Sequence, residues 1–109
     1  DGSAESLVLE TGPAFAAELL FTFALAYVIL NVATSETTEG NGFYGAAIAL
    51  VVLAGALSVG SISGASFNPA VTVSLIASDV LSVEDSWIHF VPQLAGGCLA
   101  ALAFKAQRL

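Results

Sequence analysis

Charge is what this sequence has least of: 10% of its 109 residues are charged, against roughly 25% in an ordinary soluble domain. A short chain exposes much surface for little core and should be more polar than average, so a soluble globular fold does not fit. Cysteine occurs once, at Cys98, which excludes an internal disulfide framework and a thiolate metal cluster. Lys105 and Arg108 are the only basic residues and the formal net charge is −7, so no phosphate-binding surface exists and nucleic acid is not a partner. Methionine is absent even at position 1, from which we expect a piece of a longer chain. What is present is apolar: 57% of residues are hydrophobic, which excludes disorder, collagen and coiled coil.

A membrane span needs about 20 mostly apolar residues to cross roughly 30 Å of hydrocarbon. Three segments qualify, at 13–34, 43–60 and 86–106. The first holds a single charge, Glu18, and begins at Pro13, whose missing N–H costs nothing at a helix start. It is not a secretory signal, because the residues before it are acidic. The third opens with Trp87 and ends near Lys105, the usual anchors of a span. Between the first two lies the polar loop 35–42, read as a solvated linker. Basic residues mark the cytoplasmic side, which places the C-terminus and this loop inside. Residues 1–11 are then an acidic extracytoplasmic segment.

Residues 61–78 fit neither a span nor a loop. Their start is too polar for lipid and their end too apolar for water. Asn68 followed by Pro69 reads as a helix start, with Asn as the cap and Pro in the first turn. The helix from Pro69 to Ala77 would be about 13–14 Å long, half a membrane. Ahead of it Gly60, Ser61, Ser63, Gly64 and Ala65 can form tight, extended backbone. Irregular backbone at membrane depth is tolerated only where protein buries it or a water-filled cavity meets it. The pattern therefore implies a re-entrant loop and half-helix whose positive N-terminus points at the bilayer midplane.

Ser63-Gly-Ala-Ser-Phe-Asn-Pro-Ala-Val71 resembles the Asn-Pro-Ala loop of the aquaporin and glycerol-facilitator family, the major intrinsic proteins. Glu18-Leu-Leu-Phe-Thr-Phe resembles that family's Glu-x-x-x-Thr-Phe opening, and Trp87 to Gly97 its last span. The resemblance covers residues 12–106. It implies an all-α membrane protein with three transmembrane helices and a re-entrant half-helix, one of the family's two inverted half-repeats. The implied function is a passive channel for water and small uncharged, glycerol-like or urea-like solutes, with no cofactor, no metal and no catalytic residue. Three spans and one half-helix cannot enclose a pore, so the implied partners are a missing N-terminal half-repeat or a second copy. The family's homotetramer is expected with them.

Asn68 is the expected pore donor. As a cap its side-chain oxygen accepts from a backbone N–H, which leaves the amide N–H₂ to face a cavity. The resemblance gives Pro69 and Ala70 the tip at which two half-helices meet, and the positive ends there oppose cations. Glu18 reads as a carboxylate that supports the loop by accepting from its backbone N–H groups, rather than as a proton relay. Thr22 shares its face one turn later. The resemblance also assigns three filter positions. One follows Asn-Pro-Ala, where Arg is usual and Val71 stands; the others fall at Ala65 and at Ala56, where water-selective members carry His. Small apolar residues at all three imply a wider, more apolar constriction.

His89 could gate by pH, but near the outer end of its span it reads as an interfacial anchor. Cys98 reads as a small packed hydrophobe. Gly55, Gly60, Gly64, Gly96 and Gly97, with Ala100 and Ala101, allow close helix contacts. Two competing readings are weaker. A non-conducting structural or interaction subunit has no use for a half-helix, and an intramembrane enzyme or proton-coupled carrier needs a second titratable group facing Glu18.

Overall fold

The computed structural model describes residues 7–107; the acidic stretch 1–6 and Arg108 lie outside the described residues. Among the described residues four α-helices follow one another: α1 (Thr11–Ala33), α2 (Tyr44–Ser63), α3 (Pro69–Ala77) and α4 (Trp87–Gln107). Helices α1, α2 and α4 are long and apolar enough to cross a membrane. The fold class read from the sequence is the one the chain adopts.

Its polarity is turned inside out relative to a soluble protein. The buried polar residues are Glu18, Thr22, Ser35, Ser63, Ser66, Thr72, His89 and Gln93, while Leu57 is 80% exposed and Leu20, Leu94 and Leu102 also face outward. Exposed leucines at this density suit acyl chains, and the interior is held by hydrogen bonds and close packing.

Helix α1 is the hub, packed along α4 and also against α2, while α3 leans on α4. Ala14, Ala17, Glu18 and Thr22 form the buried stripe of α1, facing Ile88, His89, Pro92, Gln93, Gly96 and Ala100 of α4. The spacing of three and four residues in both sets puts each on one helix face. Backbones nearly touch at Gly96: a Cβ there would lie 2.7 Å from the Leu19 carbonyl oxygen. A Cβ at Gly60 or Gly97 would meet nothing within 4 Å, and Ala101 is exposed, so none of these three makes a close helix contact like that at Gly96.

At the other end of the pair, Tyr27 donates its hydroxyl to Gln107 Oε1, and Gln107 Nε2 donates to Asn31 Oδ1 at 2.6 Å. Loop 35–42 is mostly exposed and is tied back to the end of α1. Glu36–Thr38 is a 3₁₀ turn, and Asn41 Nδ2 donates to the carbonyls of Val32 and Thr38, each at 2.7 Å.

Two expectations from the sequence are corrected here. Helix α2 continues through Gly60, Ser61 and Ser63 instead of giving way to extended backbone. It stops at Gly64, whose φ of 85° is the left-handed conformation that glycine adopts without strain, with its N–H bonded to the Gly60 carbonyl. Cys98 is exposed on α4 and is not packed into the interior of this chain.

Candidate functional site

The half-helix α3 starts as its sequence dictates. Asn68 has extended backbone, its Oδ1 accepts from the Ala70 N–H at 2.8 Å, and Pro69 occupies the first turn. The nine residues of α3 end at Ala77 with Ser78 as the cap, and Asp79 turns the chain away at φ 62°.

Residues 64–67 are non-helical backbone between two apolar helices, so each N–H needs a partner. The Gly60 carbonyl takes the N–H of Gly64, and Glu18 and Ser63 supply the other three. Ser63 Oγ accepts from the Ala65 N–H at 3.2 Å and donates to Glu18 Oε2 at 2.6 Å. Glu18 Oε2 also accepts from the Ser66 N–H at 3.2 Å, and Oε1 accepts from the Phe67 N–H at 2.9 Å. A fourth donor, Gln93 Nε2, reaches Oε1 at 2.8 Å. Every hydrogen-bond partner of this buried carboxylate among the described residues donates to it.

The loop reaches this geometry at a cost. Ala65 and Phe67 both take left-handed backbone, at φ 53° and 55°. What holds Phe67 there is its ring, which is buried and stacked on Phe21 at 5.4 Å between centroids. The slot for it is Gly55, where any Cβ would overlap the ring. Leu7 leans over the loop on the other side, with its side chain against Gly64 and its N–H on the Val80 carbonyl at 2.8 Å.

The carbonyls behave differently from the amides. The Ser63 carbonyl accepts from His89 Nε2 at 2.6 Å, and the Asn68 carbonyl accepts from Ser66 Oγ at 3.2 Å and the Thr72 N–H at 3.0 Å. Those of residues 64–67 accept no hydrogen bond among the described residues, and Asn68 Nδ2 donates none. The loop has turned its donors inward and left its acceptors open.

His89 therefore has a different place from the one its sequence position implied. It is fully buried and bonded to the end of α2, because the close approach of α1 and α4 encloses that face of α4. It is not an interfacial anchor. Since the carbonyl can only accept, Nε2 carries the proton, and Nδ1 has no partner among the described residues. Thr22 is buried against Gly96, and its hydroxyl likewise has none among them.

Among the residues singled out from the sequence, the structure brings Glu18 against the loop and leaves Asn68, Pro69 and Ala70 exposed at its tip. Ala56 and Val71 are exposed and Ala65 is half-buried, so these three join no buried cluster. Ser66, Thr72 and Gln93 were not singled out, and Ser63 was read only as a former of extended backbone. A signal was available for two of them: Thr72 and Gln93 are polar residues in apolar stretches, and His89, Gln93 and Gly96 recur at intervals of four and three on one face of α4.

Residues 3–104 match the family described as Major intrinsic protein. The chain is 41% identical over 93 residues to Aquaporin Z of Photorhabdus laumondii, covering 79% of this chain and 39% of that protein. It is 33% identical to Glycerol uptake facilitator protein-like 6 of Lactiplantibacillus plantarum, covering 84% and 42%. Aquaporin NIP1-4 of Oryza sativa is 32% identical over 108 residues, covering 97% and 35%. The chain thus spans less than half the length of these curated relatives. No solved structure matches it.

Proposed function

The chain belongs to the major intrinsic protein family, and from that premise we propose that it supplies half of a passive channel for water and small uncharged solutes. The observation that carries this reading is the asymmetry of the loop. Glu18 and Ser63 occupy the N–H groups of Ala65, Ser66 and Phe67, while the carbonyls of residues 64–67 and Asn68 Nδ2 have no partner among the described residues. A molecule moving in single file loses neighbours and needs replacement donors and acceptors in a row. Open carbonyls next to a free amide N–H₂ are such a row. The first turn of α3 adds the positive end of its dipole, which opposes cations. No covalent step is involved.

The other wall of the pore comes from a second half-repeat, an inverted partner or a second copy, seated on the exposed tip of Asn68-Pro69-Ala70. Lys105 in the last turn of α4 supports a cytoplasmic C-terminus. Ala56, Ala65 and Val71 place small apolar groups at the constriction, so it passes glycerol-like or urea-like solutes as well as water. Apolar walls lower the cost of desolvating a solute's carbon face, while the open carbonyls serve its hydroxyl or amide groups.

Two substitutions test this in vesicles of the full-length protein by stopped-flow light scattering. Val71→Arg is expected to suppress glycerol or urea flux several-fold more than water flux. A wild-type protein that passes water and nothing larger would overturn the wide constriction. Asn68→Ala removes both the pore donor and the cap, the latter alone worth about 1 kcal/mol. It is expected to cut solute flux or to admit ions. Unchanged flux with ions still excluded would sink the role given to Asn68.

A further inference from the structure

The tip at Asn68 is separated from Gln93 by a continuous set of hydrogen bonds that runs in one direction. Gln93 is buried on α4 and uses its amide N–H₂ twice, at 2.8 Å to Glu18 Oε1 and at 2.8 Å to Thr72 Oγ1. Thr72, fully buried on α3, lies 2.7 Å from Ser66 Oγ, and Ser66 Oγ lies 3.2 Å from the Asn68 carbonyl. That carbonyl can only accept, so the Ser66 hydroxyl donates to it. Thr72 Oγ1 also lies 3.3 Å from Gln93 Oε1, but its one proton goes to the nearer Ser66 Oγ, because the Ser66 hydroxyl is spent on Asn68, and its oxygen accepts from Gln93 Nε2. One amide group thus holds both sides of Asn68: the incoming loop through Glu18, and the outgoing half-helix through Thr72 and Ser66.

We propose that Gln93 is the positioning residue of the channel, fixing the height and tilt of Asn68 without touching what passes. The proposal rests on the channel reading for its functional part. It requires two N–H donors at position 93, because Glu18 and Thr72 Oγ1 both accept there. Leucine offers none. Glutamate has the shape of glutamine but sets a second carboxylate against Glu18. Among the described residues the titratable groups beside position 93 are Glu18 on α1 and His89 one turn earlier on α4, while α2 contributes the Ser63 hydroxyl and the loop and α3 only the Ser66 and Thr72 hydroxyls and backbone amides.

The test compares wild type, Gln93→Leu and Gln93→Glu in proteoliposomes of the full-length protein, reading water flux from pH 7.5 down to 5 and deuterium exchange at the Ser66 and Phe67 amides. Gln93→Leu is expected to lose at least tenfold in flux and to exchange those amides at least tenfold faster at every pH. Gln93→Glu is expected to match it at pH 7.5 and to regain several-fold in flux and protection on acidification, as a proton shared between the carboxyls restores a donor. Wild type retains His89, so its profile is the baseline for any effect of that residue. Wild-type flux and protection in Gln93→Leu would overturn the proposal, as would a Gln93→Glu profile parallel to that of Gln93→Leu. If wild type conducts no water yet its loop amides depend on Gln93 in this way, the channel reading fails and the positioning role stands.

Discussion

Glu18→Leu is expected to leave the full-length protein without a formed pore loop, to lower its Tm in detergent sharply and to reduce water flux in vesicles to background. The Ser66 and Phe67 amides would be stranded together with Ser63 Oγ and one N–H of Gln93. A backbone group without a partner in hydrocarbon costs several kcal/mol. Two such groups approach the whole stability of a domain, about 5–15 kcal/mol. Glu18→Gln keeps one acceptor oxygen and should fall between, retaining measurable flux. Its new N–H₂ nevertheless faces donors, so it cannot match wild type. A leucine variant with wild-type Tm and flux would remove Glu18 from the account of the loop. Equal loss in both variants, with a pH-dependent transport rate, would favour the proton relay instead.

The second large effect is expected at Gly96. A Cβ there would lie 2.7 Å from the Leu19 carbonyl oxygen and 3.1 Å from the Phe23 nitrogen, both backbone atoms of α1. Backbone cannot rotate aside as a side chain does, so α1 and α4 must separate. Overpacking of this kind costs about 1–3 kcal/mol. The separation also spreads Glu18 from Gln93, one turn away on the same face. Gly96→Ala should therefore lower both Tm and flux, and Gly96→Val should lower them further. Gly97→Ala is the control, because nothing lies within 4 Å of its Cβ position. Equal Tm values for the two alanine variants would mean that the close approach of α1 and α4 is not what holds the site.

Much of the architecture can be read along the chain. Hydropathy marks three spans because an apolar run of that length is suited to lipid and little else. Asn68-Pro69 marks the start of α3 because a cap and a fixed φ act within one turn. Glu18 stands out as the lone charge of its span. The same local reasoning misplaced the end of α2. Gly60, Ser61 and Ser63 read as loop formers by composition, yet only Gly64 has the backbone that ends the helix.

Other features depend on which helix faces meet. His89 and Gln93 are polar residues near one end of a span, and nothing within a turn of them distinguishes a buried bond from an interfacial one. Gly96 and Gly97 are neighbours in sequence, and packing makes one a contact with α1 and leaves the other open. The partners of Glu18 lie 45 to 75 residues away along the chain. The sequence by itself determined the spans, the half-helix, its cap and the one intramembrane acid, because each follows from lipid solubility or from hydrogen bonds inside a turn. Only the tertiary structure decided that four donors converge on Glu18, that His89 holds the end of α2 and that Gln93 bridges loop and half-helix. Those pairings follow from the register at which α1 and α4 pack, which no single segment contains.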